Sequence, residues 1–204
     1  EKTLILDEKT TSIELKNLSK KPAISLLNSF SAPVIVNFKQ SIDDLFAILE
    51  FETDFTSVWL TKKKLDNIVL EKITSDQPFV ESVISRIYQI IINKVHTPSL
   101  LAKLLEPLNE NEYFSKLLET TTPDPKAMQT DLRKYQDLYK RYFKEFSITY
   151  LKNFVHNRQY LRENSNYQER QLACALIFLN RGTNFLDDFL DIIFNTSNNM
   201  SLKV

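Results

Sequence analysis

The sequence predicts a mainly α protein: an antiparallel stack of helical hairpins, an α-superhelix, preceded by a few β-strands that complete a β-sandwich. Three observations carry this reading. From Ser41 onward apolar side chains recur at helical spacing, and polar caps and prolines stand at the starts of these runs. The chain of 204 residues also holds a single glycine, Gly182, where ordinary usage would supply roughly 14.

The first 38 residues differ from the rest. Residues 3–6 and 11–15 are short β-prone runs separated by the polar turn Asp7-Glu8-Lys9, and Thr11, Ile13 and Leu15 share one strand face. Pro22 and Pro33 bracket an apolar, serine-rich connector, and residues 34–38 read as a third strand begun by Pro33. Three strands leave edges unpaired and one apolar face uncovered. The expectation is therefore that residues 1–38 are the C-terminal strands of a sandwich whose other strands lie upstream of Glu1.

The period then becomes helical. Ser41 with Asp44 and Asn109 with Glu112 have capping-box spacing, and Asp76, Thr97 and Asp124 each precede a first turn holding Pro78, Pro98 or Pro125. Helices are expected near 41–50, 54–73, 77–95, 97–106, 110–120, 124–150, 166–180 and 183–194. Val80, Val83, Ile84, Ile87, Ile90 and Ile91 form one apolar stripe; Leu132, Tyr135, Leu138, Tyr139, Tyr142, Phe143 and Phe146 form another. Short loops favour antiparallel neighbours, and no fixed repeat period is present. Gly182, between Arg181 and Thr183, suits a helix C-cap.

Composition excludes several functions. One glycine cannot build a dinucleotide fingerprint, a phosphate loop or a nucleophile elbow, each of which needs at least two at set offsets. The 26 basic and 26 acidic side chains cancel, so no basic excess points to nucleic acid or a membrane surface. Lys62-Lys63-Lys64, the longest like-charge run, reads as a solvated helix face. No run of about 18 apolar residues occurs, and Cys174 has no intrachain partner, so a soluble, cytoplasmic chain is expected.

Few residues could carry chemistry. Neither His96 nor His156 begins H-E-x-x-H, and no short-spaced ligand pair accompanies them, so no metal site is expected in this chain. Cys174 lies in an apolar helical run and reads as a small hydrophobe rather than a nucleophile with His156. Asp187, Asp188 and Asp191 read as acids complementing a helix start. Residues 133–144 interleave cations and aromatics as a base-stacking surface would, but the aromatics fall on one helical face, which favours a core helix. No catalytic, cofactor-binding or metal residue is assigned.

Ser25-Leu26-Leu27-Asn28-Ser29-Phe30-Ser31-Ala32-Pro33-Val34 closely resembles the connector S-L-L-x-x-F-S-A-P-V of the bacterial-type aminopeptidase N family. Further segments follow in order. Glu14-Leu15-Lys16-Asn17-Leu18 is similar to the strand before that connector, and Asp54-Phe55 with Trp59 to the helix start after it. Thr97-Pro98-Ser99-Leu100-Leu101-Ala102 through Pro107-Leu108-Asn109-Glu110-Asn111-Glu112 resembles the family's D-P-x-L-x-A to P-S-E-N-E segment, and Asn198-Asn199-Met200-Ser201 its N-N-M-T-D turn, although Leu202 replaces the acid.

The resemblance implies that residues 1–38 end a β-sandwich domain and residues 39–204 begin a helical domain capping a catalytic cavity. The family's zinc, its H-E-x-x-H and its G-A-M-E-N lie in an upstream catalytic domain, and none of those motifs is in this sequence. The chain is thus expected to be cut at both ends and inactive alone. Its implied partners are that upstream domain and the parent enzyme's peptide substrates, with neither nucleic acid nor membrane. A free-standing helical interaction scaffold or pseudoenzyme descended from the family is the alternative.

Overall fold

The stripe of Val80, Val83, Ile84, Ile87, Ile90 and Ile91 is buried along its whole length, as a helix facing a core on one side requires. The computed structural model describes residues 9–10, 12, 14–27, 38–94, 97–118, 124–156, 167–182 and 184–187. Within them lie α1 (Ile42–Phe51), α2 (Phe55–Lys72), α3 (Gln77–Lys94), α4 (Pro98–Leu105), α5 (Glu110–Leu118), α6 (Pro125–His156) and α7 (Tyr167–Leu179). Residues 184–187 are helical as well. The protein is mainly helical, and there is no strand among the described residues.

The expected strands at 3–6 and 34–37 lie outside the described residues. Ser12, Glu14, Leu15 and Phe38 are described and belong to no strand. An extended segment without a neighbouring ladder has nothing to satisfy its backbone groups except water or side chains. Here one side chain serves: Gln40 Nε2 donates to the Ile24 carbonyl at 3.0 Å, and Lys64 Nζ holds Gln40 Oε1 at 2.6 Å. Leu27 sits in the left-handed region at φ 59°, an uncommon place for a leucine.

Polar caps set the helix starts. Ser41 Oγ accepts from the Asp44 amide while Asp44 Oδ2 accepts from the Ser41 amide, both at 3.1 Å. Asn109 and Glu112 make the same reciprocal pair at 3.0 and 3.1 Å. Asp54 accepts from the Ser57 amide, Asp76 from Phe79 and Asp124 from Lys126. Each satisfies a donor that the first turn leaves open. Thr97 makes no side-chain cap bond; Pro98, with its preset φ and missing N–H, starts α4 without one.

The sixth helix continues past the expected end at 150 to His156. Its apolar face does not stop: Ser147, Leu151 and Phe154 are buried, and Tyr150 stacks on Phe154 with ring centroids 6.4 Å apart. Residues 126–156 contain neither glycine nor proline, so nothing in the backbone chemistry interrupts the helix. Ser147, the polar residue on that face, donates its hydroxyl to the Phe143 carbonyl at 2.7 Å.

The second helix is the hub, packing against α1, α3, α4 and α6, while α4 packs most extensively on α7, which also touches α6. Polar ties fasten the outer contacts. Lys94 Nζ donates to the Leu49 and Glu52 carbonyls at 3.1 and 2.7 Å, which closes the open C-terminal end of α1 with a cation. Arg86 lies over the Phe46 ring at 4.1 Å, and Glu81 of α3 accepts from Arg141 and Tyr142 of α6.

Gly182 has φ +78° in the turn that ends α7, as its place in the sequence led us to expect. No heavy atom would meet an added Cβ within 4 Å, so the demand is purely conformational. Gly182→Ala should cost about 1 kcal/mol, or roughly 2–4 °C in melting midpoint for a chain of this size. Gly182→Asn should lose less, and thermal denaturation of the three proteins checks the order.

Candidate functional site

Successive helical residues are rotated by about 100°, so three adjacent lysines cannot share one environment. Lys62-Lys63-Lys64, expected on a solvated face, shows this. Lys62 is fully buried, Lys63 half-buried and Lys64 alone exposed. The correction follows from α2 being packed on several sides, so that Val58, Lys62, Leu65, Asp66 and Val69 all turn inward.

A buried ammonium needs neighbours for three N–H donors, and three groups surround that of Lys62. Its Nζ lies 2.7 Å from Asp66 Oδ2 one turn on, 2.8 Å from the Glu106 carbonyl and 4.8 Å from the Tyr139 ring centroid. Tyr139 donates its hydroxyl to Asp66 Oδ1 at 2.5 Å, and the neighbouring Tyr135 hydroxyl accepts from the Leu108 amide at 3.3 Å. The cluster thereby joins α2, α6 and the Glu106-Pro107-Leu108 link between α4 and α5.

Burial disfavours every charged form here. It lowers the Lys62 pKa, with the Asp66 carboxylate opposing, and raises that of Asp66, with Lys62 and the two tyrosine hydroxyls opposing. Burial and the nearby carboxylate push Tyr135 and Tyr139 well above the ordinary phenol value. Those hydroxyls therefore stay protonated, as donors. The whole cluster is closed to solvent, so it has no route to a substrate; its geometry fits locking the helices together.

The accessible site lies next to it. A groove of about 1060 Å³ runs between α2, α4, the 106–112 segment and α7. Phe55, Trp59 and Lys63 line it at i, i+4 and i+8 on α2, and Tyr167, Arg170, Cys174 and Phe178 line it along one face of α7. Lys63 Nζ lies 2.9 Å from Glu112 and 5.7 Å from the Trp59 ring centroid, and Lys103 pairs with Glu106 at 3.0 Å. Trp59 Nε1 and Arg170 Nε are shielded from water and have no acceptor, a cost of about 1–3 kcal/mol each.

Cys174, expected as a buried small hydrophobe, is exposed on this groove. Leu172, Ala173, Leu176 and Leu179 take the core side of α7, which leaves Cys174 and Phe178 on the opposite side one turn apart. The side chain of His156 and all of His96, Asp188 and Asp191 lie outside the described residues, while Asp187 is in the helical turn 184–187. The cation–aromatic run of α6 is a core helix, as its spacing predicts: Tyr135, Tyr139 and Phe143 are fully buried. Among the described residues no group of three or more metal-binding side chains comes together, and no helix is long and apolar enough to cross a membrane.

Compared with known proteins, the chain matches no family model and no curated protein.

Removing one partner of a buried ion pair strands the other, at about 3–5 kcal/mol, whereas replacing both with apolar groups is far milder. Lys62→Met alone should therefore destabilise strongly, and Lys62→Met combined with Asp66→Leu should recover more than half of the loss in urea denaturation. Simple addition of the two single losses would contradict the coupling.

The carboxylates that fasten the helix starts set the acid response. Tyr142 and Gln77 hydrogen bonds hold Glu81 below its ordinary value, and Ser41 does the same for Asp44. Burial opposes the effect at Glu112, but hydrogen bonds from Lys63 and the Asn109 amide still leave it lowered. The unfolded chain thus binds more protons as the pH falls. The stabilisation is complete above the ordinary glutamate value of 4.5 and is lost as pH drops through the lowered folded values. Glu112→Gln should flatten that acid limb in melting midpoint against pH.

Proposed function

We propose that this chain belongs to the non-catalytic C-terminal region of an aminopeptidase N-like zinc metallopeptidase, an enzyme that removes single residues from peptide N-termini. In this reading the helices form a superhelical stack of hairpins that caps and narrows the substrate cavity. The chemistry resides in an upstream catalytic domain carrying the zinc, the intended partner of residues 1–38. Support comes first from the collinear sequence matches to that family around 14–18, 25–34, 54–59, 97–112 and 198–201.

The physical observation that carries the reading is the number of exposed apolar side chains on the N-terminal segment. Leu15, Leu18, Ile24, Leu26 and Phe38 are all exposed. Apolar surface of that extent on one segment marks a contact face, and a preceding domain of the same polypeptide would cover it.

Purified alone, the chain should bind no stoichiometric zinc by elemental analysis and release no amino acid from alanyl reporter peptides. Turnover abolished by a chelator would overturn the proposal. The parent gene decides the rest: an upstream frame encoding H-E-x-x-H and G-A-M-E-N supports the enzyme, and an intact protein without them supports the interaction scaffold.

A further inference from the structure

The groove beside the buried lysine has the dimensions, lining and charge of a peptide-docking site. Along α7 its wall runs from Tyr167 to Phe178, which at about 1.5 Å per residue is roughly 16 Å, or three helical turns. Along α2 it runs from Phe55 to Lys63, about 12 Å. Its volume of about 1060 Å³ lies at or beyond the upper end of the roughly 300–1,000 Å³ typical of small-molecule pockets. An elongated trough of this size between helices suits another helix laid into it.

The lining specifies the occupant's chemistry. Tyr167 and Phe178, 66% and 64% exposed, stand at opposite ends of the α7 wall, and Phe55 and Trp59 line the α2 side. Such aromatic surface takes apolar anchors. The other cations of the groove are matched, Lys63 by Glu112 and Lys103 by Glu106. Arg170 is not: it enters none of the ion pairs found among the described residues. It lies one turn in from Tyr167 and two turns before Phe178, so its charge acts within the trough rather than at its mouth.

We propose that this groove docks an amphipathic helical segment of a partner protein, whose apolar face packs between the aromatic residues and whose central acidic side chain pairs with Arg170. A carboxylate there pairs with the guanidinium charge and leaves no like charge opposed to it. The inference does not depend on the enzyme assignment, because it rests on the groove alone.

The test uses the full chain and a capped, fluorescein-labelled peptide of about 14 residues, roughly four turns. The peptide carries leucine and phenylalanine at i, i+3, i+4 and i+7, glutamine elsewhere and one central glutamate. A second peptide has glutamine at the centre. Trp59, the only tryptophan, lines the groove and gives an independent emission signal with the unlabelled peptides.

Saturable binding is expected, with the glutamate peptide held about tenfold more tightly, as a charge-assisted hydrogen bond provides. Arg170→Gln should abolish that preference, Arg170→Lys should keep part of it, and Phe178→Ala should weaken both peptides alike. Thermal melts of the variants confirm that they fold, since neither side chain is in the core. Equal affinity for the two peptides, a preference surviving in Arg170→Gln, or no saturation by either peptide would overturn the proposal.

Discussion

An ammonium group taken wholly out of water must find a partner for each of its N–H bonds, and the position of Lys62 makes that requirement govern the arrangement of the helices around it. Asp66 is supplied by α2 itself, but the Glu106 carbonyl and the Tyr139 ring come from elsewhere in the chain. The end of α4 and the middle of α6 must therefore stand at fixed places along α2. Apolar burial alone tolerates sliding and rotation by a fraction of a turn, because it is not directional. A displaced α6 would instead leave Asp66 without its tyrosine donor and Lys62 without its ring. A buried ion pair adds little net stability over a well-packed apolar pair; what this cluster adds is directional contact between α2, α6 and the end of α4.

The same constraint shapes the surface. Holding Glu106 against Lys62 fixes the link that turns the chain from α4 into α5, and with it the Asn109–Glu112 capping box. Glu112 then meets Lys63, the residue after Lys62, whose ammonium lies over Trp59. A step of one residue along α2 passes from the closed cluster to the wall of the groove. The groove is thus bounded on two sides by helices and on a third by a segment pinned from below, and its shape exists before any partner arrives. Binding to such a preformed surface orders few additional groups, which keeps the entropic cost low.

Much of this arrangement is legible in the residues. The stripes of α3 and α6 mark their core faces, and the caps at Ser41 and Asn109 mark helix starts because the side-chain chemistry there is local. Lys62 escapes a first reading for a physical reason: a lysine triplet is ordinarily solvated, and only position decides otherwise. The signal is present, since Lys62 sits four residues after Val58, three before Leu65 and four before Asp66, which places it on the apolar face with an acid within reach. The exposure of Cys174 depends on which side of α7 meets α4 and α6, and an almost continuous apolar run gives no periodicity from which to read it. The groove is not legible, because α4 and α7 are distant in sequence and no local pattern pairs them.

Two kinds of unfinished surface remain, and their difference bears on what each one does. The apolar side chains of Leu15, Leu18, Ile24 and Leu26 belong to a segment without regular secondary structure, with Asn17 and Leu27 at positive φ. Its hold on the helices includes the Gln40 side chain, itself gripped by Lys64. Among the described residues no backbone hydrogen bond runs within this segment, which suits a permanent neighbour that supplies such bonds. The groove is the opposite case: two of its walls are helices, and among the described residues its lysines are matched by carboxylates while Arg170 is not. A surface that stands formed without its partner, and asks of it a single charge, is built for a ligand that can come and go.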